Sequence, residues 1–165
     1  MLRAFLLALP LSALAMAPAL AEEKKMDPKV VEAVKDTLKE HDDALNNKDL
    51  KGVMAMYADS PDVVLMGTGS GEFWKGKEAI ADAYEHFFKD FETGSLSHDC
   101  PFKSGSYQGD VAWLIASCQM KDKTKEGSRE YVLNVSAVLT NEKGTWKYRT
   151  LHFSNLTGGG AEPAK

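Results

Sequence analysis

Cysteine is scarce, basic residues are in deficit, and no motif of covalent or phosphate chemistry is present. Only Cys100 and Cys118 occur, without Cys-x-x-Cys spacing. Lys and Arg number 20 against 24 Asp and Glu, a net charge of −4. With no basic stripe, nucleic acid is excluded as an expected partner. There is no Gly-x-Ser-x-Gly elbow. Gly67-Thr68-Gly69-Ser70-Gly71 lacks the lysine and helix start that a phosphate cradle needs, so it reads as a flexible loop near a pocket mouth. A metal needs two or three convergent ligands. His41 and His152 could supply two, but Asn134 and Ser136 are feeble partners, so no metal and no other cofactor is expected.

What is present begins with an address. Arg3, an apolar run from Ala4 to Leu20 and the small-residue end Ala19-Leu20-Ala21 form the pattern of a secretory leader, residues 1–21, cut before Glu22. Pro10 and Pro18 interrupt a run barely long enough to span a bilayer, which makes a retained anchor the lesser reading. The residue directly after the cut is Glu22 rather than cysteine, so lipid anchoring is not expected either. The chain should therefore be exported, periplasmic or secreted, with no membrane attachment after leader removal. About 144 residues remain, room for one core. Loss of Arg3 leaves 19 basic against 24 acidic residues, a net −5. Residues 22–157 read as one domain without repeat or linker. Residues 158–165, Gly-Gly-Gly-Ala-Glu-Pro-Ala-Lys, read as a disordered tail with nothing apolar to bury.

Spacing predicts the elements. Asp27-Pro28 is a helix start, followed by Val31, Val34, Leu38, His41 and Leu45 on one stripe. Asp49 caps a short helix whose inner face is Leu50, Val53, Met54 and Tyr57. Val63–Met66 is a strand. The segment from Gly67 to Gly76 opens a third helix carrying Ile80, Tyr84, Phe87 and Phe91 on one face. From Leu96 the period becomes two. A hairpin near Gly109 joins Ser97–Tyr107 to Val111–Met120, and the strands Arg129–Leu139 and Thr145–Ser154 follow. In the last strand Lys147 and Arg149 should face water. Parity then sends Trp146, Tyr148 and His152 inward and leaves Leu151 and Phe153 on the outer face.

Helices followed by long antiparallel strands, with Gly67-Thr68…Glu72-Phe73-Trp74-Lys75-Gly76, Val135-Ser136-Ala137-Val138-Leu139 and Trp146…His152-Phe153-Ser154, resemble the nuclear-transport-factor-2-like superfamily and its SnoaL-like branch. The resemblance spans roughly 30–156. It implies an α+β, cone-shaped fold with N-terminal helices packed in the concave face of a curved, mainly antiparallel sheet. Ketosteroid isomerase is in the same superfamily. Aligned on Ala44-Leu45-Asn46 and Asp49-Leu50, His41 falls where that enzyme has its oxyanion-stabilising tyrosine, and Leu65 where it has its general-base aspartate. Leucine cannot take a proton, so steroid-type isomerase chemistry does not carry over. The resemblance also implies a sheet-to-sheet homodimer, for which Leu133, Val135, Ala137, Leu151 and Phe153 offer an apolar outward face.

The expected site is one cavity holding a small, partly apolar molecule. His41, Tyr57, Phe87, Trp113, Asn134 and His152 line it, with Trp74 at its rim. No catalytic residue is assigned; His41 and His152 are the candidates. Binding is preferred to catalysis because the one alignable base is missing. The alternatives are an enzyme of isomerase, dehydratase or hydrolase type that uses these histidines, and a structural or assembly domain whose interior is filled. Cys100 and Cys118 are equidistant from Gly109. They would pair across the hairpin in an oxidising compartment unless a two-residue loop or a bulge near Gly105 slips the register.

Overall fold

The computed structural model describes residues 26–155. The expected leader at 1–21 and tail at 158–165 lie outside the described residues. Helix α1 spans Pro28–Asn46, with the Asp27 carboxylate accepting from the Lys29 amide and proline in the first turn, the N-cap chemistry the sequence announces. Helix α2, Leu50–Ala55, is capped likewise by Asp49. Strands β1 (Val64–Met66) and β2 (Phe73–Lys75) form a small hairpin, so the Gly67–Gly76 segment is a turn plus a strand before helix α3, Lys77–Phe87. Four long strands follow: β3 (Ser97–Gln108), β4 (Val111–Thr124), β5 (Gly127–Glu142) and β6 (Thr145–Ser154).

The sheet order is β2-β1-β6-β5-β4-β3, antiparallel throughout except where β1 lies parallel to β6. The helices cover one face. The core lies between them and the sheet, built from Val53, Tyr57, Val63, Ile80, Leu139 and their neighbours. α1 packs chiefly on α2 and β6, and Thr37 Oγ1 donates to the Trp146 carbonyl at 3.1 Å. This is the α+β curved-sheet architecture expected. Among the described residues no helix is long and apolar enough to cross a membrane.

Two bulges decide where side chains point. Gln108 pairs with Val111, so the β3–β4 turn is the two-residue loop Gly109-Asp110, and Gly109 has the positive φ of 57° such a turn requires. By itself that register would put Pro101 opposite Cys118. The ladder shifts between Asp99 and Phe102, and Pro101, which has no N–H to give, is absorbed in the bulge. Cys100 then faces Cys118, and the two form a disulfide with a Cα–Cα distance of 4.0 Å.

The second bulge is in β6. Leu139 pairs with Tyr148 and Val138 with Thr150, leaving Arg149 as an extra residue. Trp146 and Tyr148 point inward before it; Leu151 and Phe153 point inward after it. His152 is thereby turned to the convex face, beside Ser136, contrary to the simple parity expected. The outward apolar set also fails. Leu133, Ala137 and Leu151 are buried, and Val135 and Phe153 pack on the core. The convex face instead carries Phe73, Met66, Phe102, Ile115 and Trp113.

Candidate functional site

Between α1 and the concave sheet lies a cavity of about 860 Å³. α1 covers β6, but the concave faces of β3 and β4 have little above them. The floor is therefore strand side chains, among them Ala112, Leu114, Ala116, Val135, Leu151 and Phe153, and one wall is Val30, Val34, Leu38 and Leu45 of α1. Two hydrogen bonds bridge α1 to the other lip. The Asp27 amide donates to Tyr107 Oη at 2.9 Å, and the Leu96 amide donates to Asn46 Oδ1 at 2.9 Å. The cavity is a slot, strapped at both ends and open along its side.

His41 sits at its depth, 2 % exposed, with its ring edge-on to Tyr148 at 5.1 Å. Behind it run two buried phenols: Nε2 is 3.1 Å from Tyr84 Oη, which is 2.8 Å from Tyr57 Oη. Among the described residues Tyr57 Oη has no other acceptor, so the chain of donors runs Tyr57 to Tyr84 to His41 Nε2. That direction leaves the imidazole proton on Nδ1, which faces Asp42 Oδ1 at 3.6 Å. Asp42 Oδ2 in turn lies 3.7 Å from Nε2 of His98, an exposed residue at the start of β3. A polar line therefore runs from the core to the slot through Tyr57, Tyr84, His41, Asp42 and His98. Burial above all raises the Tyr57, Tyr84 and Tyr148 phenols above their ordinary range; Asp42 adds to the effect at Tyr84 and Tyr148. Burial thus favours the neutral form of all three, and Tyr57 and Tyr84 are the two that donate.

Of the residues expected to converge, the slot takes the side chain of His41. Tyr57 lies behind His41, in the core. Trp74, on β2, and Phe87, on α3, pack on the core away from the slot, and the Gly67–Gly71 loop is no part of its mouth. Trp113 contributes backbone, while its ring stands on the convex face, 45 % exposed. Asn134 and His152 are on that face too, around a shallow recess that includes Ser117, Ser136 and Ser154. The two histidines expected together thus lie on opposite sides of the sheet. Asp42, Tyr84, His98 and Tyr148 join the site without a motif in the sequence that marks them. Tyr84 and Tyr148 do lie on the apolar faces read from spacing, but Asp42 and His98 follow no apolar pattern. Among the described residues no cluster of three metal-ligating side chains occurs.

No curated protein matches the chain. Solved structures do match in fold. A candidate dehydratase of the NTF2-like family from Streptomyces avermitilis superposes with a TM-score of 0.69 at 15 % identity, covering 79 % of this chain and 98 % of that one. A ketosteroid isomerase-like protein from Erwinia carotovora atroseptica gives 0.65 at 18 %, covering 80 % and 100 %. An NTF2-like protein of unknown function from Pseudomonas putida gives 0.64 at 18 %, covering 86 % and 95 %. At these identities the likeness is one of fold. The sequence match is more specific, because residues 34–157, well over half of the chain, fit the SnoaL-like domain. The chain belongs to the SnoaL-like domain family.

Proposed function

We propose that this protein is an exported small-molecule-binding domain whose ligand lies in the slot between α1 and the concave sheet. The observation that carries this is a cavity of about 860 Å³ with apolar walls and a few inward polar groups, the composition binding sites of this size have. Leu65 supports binding over isomerase chemistry: it is buried in the core, outside the slot, and has no proton to exchange. Export rests on the leader pattern of residues 1–21. The test is organic extraction of protein recovered natively from the exported fraction, followed by mass spectrometry. A stoichiometric small molecule that filling the slot with Ala116→Phe abolishes is the expected result. An empty slot that also fails to take up an apolar dye overturns the reading.

A second reading, acid–base catalysis, is favoured by one observation: Asp42 stands between His41 and His98 at the slot surface. In this reading His98 exchanges the proton and Asp42 orients it. Deuterium exchange into the extracted ligand, catalysed by the protein and lost in Asp42→Asn, would favour it over simple binding. We further propose a homodimer through the convex face, where Phe73 is 69 % and Ile115 50 % exposed.

A further inference from the structure

The slot has a charge pattern that narrows its ligand. Its long axis follows α1, whose 19 residues extend about 28 Å at 1.5 Å per residue. The Asp27–Tyr107 and Asn46–Leu96 hydrogen bonds strap the ends, so a ligand enters from the side and then lies along the helix. A volume of about 860 Å³ drawn out along such an axis is narrow for its length. Gly105 and Ala116 keep the strand side of the slot clear of bulk.

Halfway along β3, Lys103 pairs with Ala116 of β4, whose even-numbered residues face the slot, and it lines the slot. The opposite lip carries Lys35, Lys39, Asp42 and Asp43 of α1, Asp42 facing His41 and His98, and Asp99 lines the slot near the start of β3. Lys35 is paired with Glu32, and Lys39 with Asp43. Lys103 has no carboxylate within salt-bridge distance among the described residues. An unpaired ammonium at the lip of an apolar slot calls for an anion attached to an apolar body.

We infer that the slot takes a flexible aliphatic chain ending in a carboxylate, the chain along the floor and the carboxylate at Lys103. This rests on the slot being a ligand site at all, and the test separates the two claims. Delipidated protein is titrated at low salt with cis-parinaric acid and with the corresponding alcohol, using their fluorescence. Lys103→Met is run beside wild type, with Lys51→Met as a control for net charge.

The acid should bind about fivefold more tightly than the alcohol, the upper range for a solvent-exposed ion pair. High salt and Lys103→Met should each remove that preference, and Lys51→Met should not. Saturated carboxylates of increasing length should displace the probe with rising affinity until the slot is filled, and cholate, a rigid fused-ring carboxylate, should displace it poorly. Equal binding of acid and alcohol, or a preference that survives Lys103→Met, overturns the carboxylate assignment and leaves the binding site intact. Stronger displacement by cholate overturns the chain-shaped ligand. If neither probe binds and Ala116→Phe changes nothing, the slot itself is refuted.

Discussion

Tyr84 is the residue on which the polar line turns, because it accepts from Tyr57 and donates to His41 in a space closed to water. Tyr84→Phe would leave a phenol without an acceptor and an imidazole nitrogen without a donor. Stability should fall by about 1–3 kcal/mol, the cost of stranded buried polar groups, measured by urea denaturation. Nitrogen chemical shifts of His41 should report the Nδ1-protonated tautomer; an Nε2-protonated ring would reverse the donor chain. The phenols also set an alkaline limit. Burial raises Tyr57, Tyr84 and Tyr148 above the unfolded value of about 10. Above that pH the unfolded chain binds fewer protons than the native one, so stability falls as pH rises. The contribution is whole below about pH 10 and is lost as pH climbs through the raised folded values. The urea midpoint should drop steeply above about pH 10, and the phenolate absorbance of these three among the five tyrosines should appear with unfolding rather than before it.

At the scale of elements, the two bulges do more than irregularities usually do. In β3 the bulge at Pro101 brings Cys100 to Cys118 and so fixes the edge strand that carries His98 and Lys103. Closing a loop with a sequence separation of 18 should stabilise the fold by about 3 kcal/mol. Replacing both cysteines by serine should lower the urea midpoint accordingly and speed amide exchange in β3 more than in β5. Unchanged β3 exchange would mean that the ladder alone holds the strand. In β6 the bulge at Arg149 reverses which residues meet the core. Its trace is in the sequence, since apolar positions run Trp146, Tyr148 and then Leu151, Phe153, a change of parity within one strand. Reading Lys147 and Arg149 as a continuous outer face hides that change and misplaces His152. The helices were legible because their caps and stripes are local. Strand β2 was not, because three residues between glycines carry too little pattern.

For the whole molecule, the convex sheet face is the feature that a single chain leaves unexplained. Phe73, Met66, Phe102, Ile115 and Trp113 form a broader exposed apolar surface than isolated side chains would. Light scattering should give about twice the mass of one chain at micromolar concentration. Ile115→Asp should halve that mass while leaving the thermal midpoint of the monomer fold in place, because its side chain touches water rather than core. A monomeric wild type would exclude this interface. His152, Ser136 and Asn134 lie on the same face. Their place in that interface, rather than in a ligand site, is what the proposed dimer assigns to them.

By itself the sequence determined the class of fold, because helix caps, the period of three to four and the later period of two are short-range signals that each segment carries alone. It also determined that His41 belongs to a buried stripe, and it named Cys100 and Cys118 as partners in reach of each other. Only the tertiary structure decided which face of each strand looks inward. One extra residue in β6 inverts every side chain beyond it, and neither the β3 bulge nor its correction of the cysteine register can be counted from a turn. The slot, too, is a tertiary fact. It exists because α1 rests on β6 and α2 and leaves β3 and β4 uncovered, and helix placement depends on packing among segments far apart in the chain.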